Sequence, residues 1–568
     1  MFNEDDETLP TRETQEDIEA AIAALARMQE LDEDNTEPKA KSRKYKSTMV
    51  GYFHRVVCDE GHAVKTIKSR QHQSVALLLA RHIWFLTATP MSNKPTDMLG
   101  YLTLLYKAEW DGQDDSDIAE DGWMAYQNAA KRWSAGEIDA PVYLLAPRRL
   151  AALAHNGQLD ALTGFHVLPV ILGLICLGRV YADPQPGTDI PIGSEIPPNR
   201  VMTIELAFSP RVQQDHDRMY APLARILKQP GGSKDGDTDL VLDEEGRMHM
   251  GIFRWLCLAA ISPRMHRFAQ RIGNQRSLAA PMREEINRPP DLGFSLYFSK
   301  TCLEPNVTVP NTAVGQALYL AGDAPKLRYL LKIFDSEGLW DPPFTGIGPV
   351  HPPIRFIVFI RWPLTGWLVE MFLDALGIRY ATIRSGQTQE ERSSAKGYFC
   401  DPKSDCQVAL ASYATGSLGL NLHHCCARTV MMEAAPNVPT EEQVIGRTNR
   451  MGQRLTQKIW ILFSQHTIER YISYNNSRKF IPQAAATLAE SDIKHRLKTR
   501  ILNRQAKKAD GNPENDPEMA VSDEVNNDIV SEITSDTIEE MAAEAIMAKF
   551  GQATSRLLID DIHNLGYD

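Results

Sequence analysis

Several features that mark secreted and membrane proteins are missing from this chain of 568 residues. No arginine-rich or apolar leader opens the sequence, so we expect no secretory signal. The most apolar stretch, residues 167–178, is too short to span a bilayer and contains Pro and Gly. It is typical of a buried helix or strand, and we expect no membrane partner.

The eight cysteines contain no CxxC pair. Their spacing matches neither a zinc framework nor the disulfide pattern of a small secreted domain. We therefore expect free thiols in a reducing compartment, the cytosol or the nucleus.

A phosphate-binding loop of the form GxxxxGK[ST] is also missing. The first glycine is Gly51, and no Gly-Lys dipeptide occurs anywhere in the sequence. Such a loop binds phosphates through the backbone amides of its glycines and through its lysine. No residue of this sequence is therefore a candidate for that role.

Net charge alone disfavours a nucleic-acid partner, but its distribution does not. The total is -12 at pH 7, yet residues 1–40 hold 13 acidic and 3 basic residues, and residues 501–568 hold 15 and 5. The remaining body is mildly basic, which is compatible with DNA or RNA binding without requiring it. The length predicts roughly three or four domain-sized pieces.

Two strand-and-turn motifs near the N-terminal end are candidates for a catalytic site. Residues 55–58 predict a buried strand that ends in Asp59-Glu60-Gly61-His62, and residues 83–86 predict another that ends in Thr87-Ala88-Thr89-Pro90. Ligands of open α/β sheets bind beyond the carboxyl ends of the strands. An Asp there can hold Mg²⁺, and the Glu beside it can orient an attacking water.

A second α/β pattern begins near residue 355. Strands are predicted over 356–360, 380–383, 408–410 and 429–432, with helices over 366–376 and after Thr388. This alternation predicts a parallel sheet with right-handed crossovers. A glycine turn at 416–419 has two interpretations, a tight turn without a ligand or a ligand contact.

Arg447 and Arg450 are predicted at the start of a polar helix. Because residues three apart share a helix face, both guanidiniums can point at one object, such as the terminal phosphates of a nucleotide. The alternative is a surface helix with two solvated arginines.

Four motifs resemble those of the SWI/SNF-type ATPases, a branch of the superfamily-2 helicases. DEGHAVK and LTATPMSN are similar to the family's DEAHxxK and LTGTPxxN. SYATGSLGLNL and QVIGRTNRMGQ are similar to its fifth and sixth helicase motifs. Gly61, Ala88, Tyr413-Ala414 and Asn449 depart from the family pattern.

Two further segments resemble the family. Residues 195–210 are similar to the brace at the end of the first lobe, and residues 325–331 to the helix that enters the second lobe. Residues 230–320 are interpreted as insertion loops around a few helices.

The resemblance implies an α/β fold of two RecA-like parallel-sheet lobes, the first incomplete, with helical insertions and disordered acidic tails. We expect a leader over 1–47, the remnant of the first lobe over 48–107, its end with brace and insertions over 108–350, the second lobe over 351–480 and a charged tail over 481–568.

The resemblance also implies residue roles, with ATP and Mg²⁺ as cofactors between the lobes. Asp59 would hold Mg²⁺, Glu60 would orient the attacking water with His62 in the same box, and Arg447 and Arg450 would act as arginine fingers. The implied nucleotide contacts also include Gly416, Gly419 and Gln443. The residues implied in coupling to DNA are Thr89, Pro90, Asn93 and Asn421.

These roles predict a DNA-dependent ATPase and translocase in chromatin remodelling or DNA repair. The expected partners are duplex DNA, nucleosomes and proteins bound by the tails, and the expected location is the nucleus. The missing phosphate loop indicates either a truncated sequence, which we favour, or natural loss of ATP binding.

Two other hypotheses stay open. One is a non-catalytic DNA- or protein-binding module that is derived from such an ATPase. The other is a generic RNA helicase of the same superfamily, which the Gly-Gln pair after Arg450 disfavours.

Overall fold

The computed structural model describes eleven segments of the chain. They are residues 49–92, 94–107, 109–110, 122–155, 158–227, 250–272, 290–340, 354–416, 421–488, 492–493 and 535–550. They divide into two compact units, each treated by itself below. Within these segments, no helix combines the length and the apolar character needed to cross a bilayer.

The first unit has a sheet of two parallel strands, β1 (Arg55–Asp59) and β2 (His82–Leu86), paired from Arg55 opposite His82 to Asp59 opposite Leu86. Helices α1 (Arg70–Ala76) and α2 (Met98–Leu105) follow the two strands. Both strands alternate between exposed and half-buried residues, so Val57, Trp84 and Leu86 are each about half exposed.

The second unit is built on a sheet of six parallel strands. They are β3 (Asn199–Leu206), β4 (Phe356–Ile360), β5 (Tyr380–Ile383), β6 (Val408–Ser412), β7 (Arg428–Met431) and β8 (Gln457–Ser464). Their order across the sheet is β3-β8-β7-β4-β6-β5, and every described pair is parallel. All five residues of β4 are buried, as expected of a strand covered on both faces.

The other helices follow one another along the chain. They are α3 (Gly122–Ser134), α4 (Pro147–Leu153), α5 (Ala161–Ile175), α6 (Pro210–Leu227), α7 (Met250–Ile261), α8 (Pro263–Ile272), α9 (Pro290–Thr301), α10 (Ala313–Ala321), α11 (Pro325–Ser336), α12 (Pro363–Ala375), α13 (Gln389–Cys400), α14 (Tyr413–Gly416), α15 (Val438–Ile445), α16 (Ile468–Ala485) and α17 (Ser535–Phe550). Helix α13 begins with a capping box in which Thr388 and Glu391 satisfy each other's backbone N–H groups.

Strand β3 lies in a different place from the one that the sequence suggests. The family resemblance puts it at the end of the first lobe, whereas the structure makes it the edge of the six-stranded sheet. It pairs with β8 over eight residues, from Asn199 opposite Gln457 to Leu206 opposite Ser464. A strand pattern cannot show which of two sheets it joins, because the pairing partner is distant in sequence.

Helices between residues 250 and 321 form part of the core and are not peripheral insertions. Phe268 and Tyr297 lie against the ring of Trp367 on α12, with ring centroids 5.1 and 6.3 Å away. At Gly293 a β-carbon would come within 2.8 Å of Trp367, so only glycine lets α9 approach this closely. The second compact unit therefore begins well before residue 351.

The apolar run at 167–178 is buried only in part: Val167, Leu168 and Ile171 are buried in α5, whereas Leu177, just after the helix, is 91% exposed. This helix packs against α16 and α17, and a β-carbon on Gly164 would lie 2.7 Å from Pro482. Ile538 and Ala542 of α17 are fully buried in the same cluster. Helix α17 therefore packs on α5 and α16 of the second unit.

The α/β class with parallel sheets is confirmed. Residues 1–48 and, of residues 501–568, all but 535–550 lie outside the described residues.

Candidate functional site

The DEGH box forms a tight turn at the carboxyl end of β1. Glu60 adopts a left-handed backbone with φ 48°, and its N–H donates to Oδ1 of Asp59 at 2.9 Å. Both carboxylates are exposed. Gly61 is buried beneath them, and a β-carbon there would lie 2.8 Å from Cβ of Phe85. Packing against β2 therefore explains why glycine replaces the family's alanine.

His62 joins this turn to the segment after β2. Its Nδ1 lies 3.3 Å from Oε2 of Glu60 and 3.5 Å from Oγ1 of Thr87. The same hydroxyl accepts the N–H of Thr89 at 3.1 Å. The structure thus brings Glu60, His62 and Thr89 together beside Asp59, with Thr87 between His62 and Thr89. Pro90 follows directly and is half-buried, and Asn93 lies outside the described residues.

Two contacts hold the segment behind the box. Lys65 donates to Asp97 at 2.8 Å, and both side chains are largely buried. His72 Nδ1 lies 2.8 Å from the carbonyl of Val64. At Gly100 a β-carbon would lie 1.9 Å from the Lys65 carbonyl, so α2 crosses directly against this turn.

In the second unit, the glycine turn is described only in part. Gly416 ends α14, while Gly419 lies outside the described residues. Asn421 is the first described residue after this gap. Its Oδ1 accepts a hydrogen bond from Nη1 of Arg450.

The expectation that Arg447 and Arg450 share one helix face is wrong. Helix α15 ends at Ile445, and both arginines lie in the turn that follows it. Arg447 is only 8% exposed, whereas Arg450 is half-buried and bonded to Asn421. Gln443 stands on the last turn of α15, so the three residues still belong to one continuous segment.

Gln453 has a role that the sequence comparison does not reveal. Its amide nitrogen donates to the carbonyls of His423, Cys426 and Thr448 at 2.8–3.2 Å. Its oxygen accepts the N–H groups of Arg454 and Leu455 at 2.9 and 3.0 Å. This one buried side chain therefore ties the turn after Asn421 to the segment that carries the arginines.

Glu441 is a second residue that motif comparison misses. Desolvation raises the pKa of its carboxyl to about 7, with a further contribution from the charge of Glu442. The side chain lies beside a cavity of about 30 Å³ that is also lined by Asn476 and Ser477. No pattern in the sequence marks it, because the residues of α16 that line the cavity beside it are distant in sequence.

A buried ion pair fixes the helix that precedes the second α/β pattern. Lys326 is fully buried on α11 and lies 2.6 and 2.7 Å from the two carboxylate oxygens of Glu469. It also donates to the carbonyl of Met432, and Glu469 accepts the N–H of Ser464. The pair therefore joins α11 and α16 to the ends of β7 and β8.

The parallel sheets place the protein in the α/β class, and a DEGH box at the end of a strand is typical of helicase-like domains. Residues 3–117 match the SNF2-related domain, and residues 351–452 match the helicase conserved C-terminal domain. The resemblance to the SWI/SNF-type helicases is therefore confirmed, and the chain contains segments of both domains.

Similar proteins carry related names. The chain is 36% identical over 112 residues to RNA polymerase-associated protein RapA of Actinobacillus succinogenes, covering 20% of this chain and 11% of that protein. It is 30% identical over 107 residues to ATP-dependent helicase BRM of Arabidopsis thaliana, covering 19% and 5%. It is 25% identical over 145 residues to DNA repair protein RAD5 of Gibberella zeae, covering 25% and 12%.

These alignments span about a tenth of each relative's length or less. Among solved structures, the C-terminal part of the Fun30 ATPase domain aligns with a TM-score of 0.33 and 14% identity, covering 50% of this chain and 90% of that one.

Proposed function

We propose that the chain works as part of a DNA-dependent ATPase of the SWI/SNF type. Hydrolysis of ATP would drive translocation along duplex DNA, in chromatin remodelling or in DNA repair. The observation that carries this proposal is the turn from Asp59 to His62, in which the N–H of Glu60 donates to Asp59 and Nδ1 of His62 lies 3.3 Å from the Glu60 carboxylate. The nuclear location and the binding of nucleosomes stay predictions.

The residues of the first unit are suited to the water-attack half of the reaction. The nucleotide and Mg²⁺ would supply the reactive phosphate and neutralise its charge. Mg²⁺ keeps several waters and needs only one or two carboxylates, which the exposed carboxylate of Asp59 could supply. Glu60 orients the attacking water, and His62 holds the Glu60 carboxylate from one side.

The residues of the second unit are suited to bind the charge of the transferred phosphate. Arg447 and Arg450 act as arginine fingers, which contribute about 10³–10⁵ in rate in enzymes of this kind. Asn421 and Gln453 set the position of Arg450, the first through its side chain and the second through the backbone.

The test supplies the missing phosphate loop. A segment carrying GxxxxGK[ST] is joined ahead of residue 49, and DNA-stimulated ATP hydrolysis is measured for this fusion. We expect DNA-stimulated turnover that Glu60→Gln or Arg450→Ala lowers by about 10³-fold or more. Matched controls are Glu137→Gln and Arg454→Ala, which change exposed residues of the same type and should keep full activity.

The proposal fails if the folded fusion hydrolyses ATP no faster with DNA than the Glu60→Gln variant does. Folding is checked by circular dichroism and by a cooperative unfolding transition.

The absence of a GxxxxGK[ST] motif favours a second candidate, a DNA-binding module without catalysis. It predicts that the chain binds duplex DNA with an affinity that falls steeply with salt, because binding releases condensed counterions. Addition of ATP should then leave the affinity unchanged. A change in affinity with nucleotide would contradict this second candidate.

A further inference from the structure

Three residues that could bind a metal come together in the second unit, away from the roles proposed above. They are Cys400, the last residue of α13, and the adjacent pair His424 and Cys425 in the turn before β7. One ligand atom from each lies within 4.8 Å of the other two, and the sulfurs are 2.6 Å apart. Within the described residues, this is the one cluster of three such side chains.

We propose that Cys400, His424 and Cys425 bind a thiophilic divalent cation of the zinc class. Two thiolates and one imidazole are the ligand set that selects zinc over harder cations such as Mg²⁺. The fourth position of a tetrahedral site would be taken by water, because His424 is exposed and leaves that side open to solvent.

The sequence predicts no zinc framework, since Cys400 and Cys425 are 25 residues apart and lack CxxC spacing. The HHCC run at 423–426 was the available signal. Of its two histidines, His423 faces Gly452 and only His424 joins the cluster. Of its two cysteines, Cys426 is fully buried and donates to backbone carbonyls, so its neighbour supplies the ligand.

The position of Cys400 suits a cation. It ends a twelve-residue helix, and the carbonyl dipoles at a helix C-terminus attract positive charge. A tetrahedral zinc with sulfur at about 2.3 Å places its two sulfurs about 3.8 Å apart. Binding therefore includes a side-chain rotation that separates the sulfurs by roughly 1 Å, which the half-buried turn of Cys425 allows.

Metal binding would also affect the segment that carries Arg447 and Arg450. The turn that supplies His424 and Cys425 begins at Asn421, the partner of Arg450, and its carbonyls accept the amide of Gln453. A metal would tie this turn to α13 through two side chains. The bound metal would thus fix the same turn that positions Arg450.

The test uses the full chain, reduced with a phosphine and freed of metal by a chelator. Co²⁺ is added as a spectroscopic substitute for Zn²⁺. We expect thiolate-to-cobalt charge-transfer absorption and tetrahedral ligand-field bands, both displaced by one equivalent of Zn²⁺. Cys400→Ser should weaken Zn²⁺ binding by about 100-fold or more, since even outer-shell partners contribute 10–100-fold.

Cys302→Ser is the matched control, because Cys302 is also half-buried but lies outside the cluster. A second readout needs no variant: Zn²⁺ should protect Cys400 and Cys425 of the wild-type chain from alkylation, and leave Cys302 unprotected.

Two results would overturn the proposal. One is Co²⁺ binding without thiolate bands, or with the same affinity in Cys400→Ser as in wild type. The other is formation of a Cys400–Cys425 disulfide under mild oxidant, seen as a loss of two hydrogens, that Zn²⁺ neither prevents nor slows. The pair would then be a redox couple and not a metal site.

Discussion

The guanidinium of Arg450 donates to the side-chain oxygen of Asn421, 29 residues earlier in the chain. This bond joins the segment after the glycine turn to the segment after α15. It means that the orientation of Arg450 depends on a residue that the family resemblance assigns to DNA contact. This hydrogen bond therefore connects the motif that contains Asn421 to the motif that contains Arg450, within the second unit.

Replacing Asn421 should test this connection. In the phosphate-loop fusion, we expect Asn421→Ala to lower DNA-stimulated turnover by about 10-fold, because a charge-assisted hydrogen bond contributes roughly 1.5 kcal/mol or more. Thermal unfolding should change little, since the bond lies at the surface. If Asn421→Ala keeps wild-type turnover while Arg450→Ala loses it, the bond does not position the arginine.

Replacing Gln453 should lower the free energy of unfolding. Gln453→Ala removes five hydrogen bonds and leaves buried carbonyls without their donor, so we expect a loss of about 3 kcal/mol in the free energy of unfolding. Denaturant titration measures this loss. The matched control is Gln465→Ala at the surface, where one bond to Glu205 is lost and the change should stay below about 1 kcal/mol.

For the buried pair of Lys326 and Glu469, we expect the double substitution to be less destabilising than the single one. Lys326→Met leaves the Glu469 carboxylate buried without its charge partner, and should lower the free energy of unfolding by about 3–5 kcal/mol. The double variant with Glu469→Leu should recover most of that loss, because neither charge is then buried. A double variant as unstable as the single one would show that the pair also holds the fold through packing.

Glu441 should give the stability a dependence on pH. The pKa of its folded-state carboxyl is raised to about 7 from an ordinary 4.5, so the protonated form is favoured by folding. Its contribution is fully present below about pH 4.5 and is lost as pH rises through about 7. Burial also raises the pKa of Glu370 to about 7, so two groups act in the same window.

Burial lowers the pKa of His216 and His266, which raises stability up to about pH 6.5. Denaturant titrations should therefore show stability that falls with rising pH between about pH 6.5 and 8. Glu441→Gln should flatten part of this slope and stabilise the chain at about pH 8, whereas Glu390→Gln, at an exposed position, should leave it unchanged. An unaltered slope in Glu441→Gln would contradict the assignment.

Several elements could be predicted from local pattern alone. The four strands and two helices predicted from residue 355 onward are present, and Thr388 with Glu391 provides the predicted start of α13. Apolar runs and capping residues act through neighbours within a few positions, so the sequence displays them directly. The DEGH and TATP turns at the ends of β1 and β2 were visible for the same reason.

What the tertiary structure decided lies in contacts between distant residues. It placed β3 at the edge of the six-stranded sheet and ended α15 at Ile445, ahead of both arginines. It also brought the side chain of Gln453 into hydrogen bonds with the turn before β7. It also brought Cys400 to His424 and Cys425. None of these follows from periodicity, because strand pairing, buried hydrogen bonds and ligand clusters depend on which surfaces meet after the chain has folded.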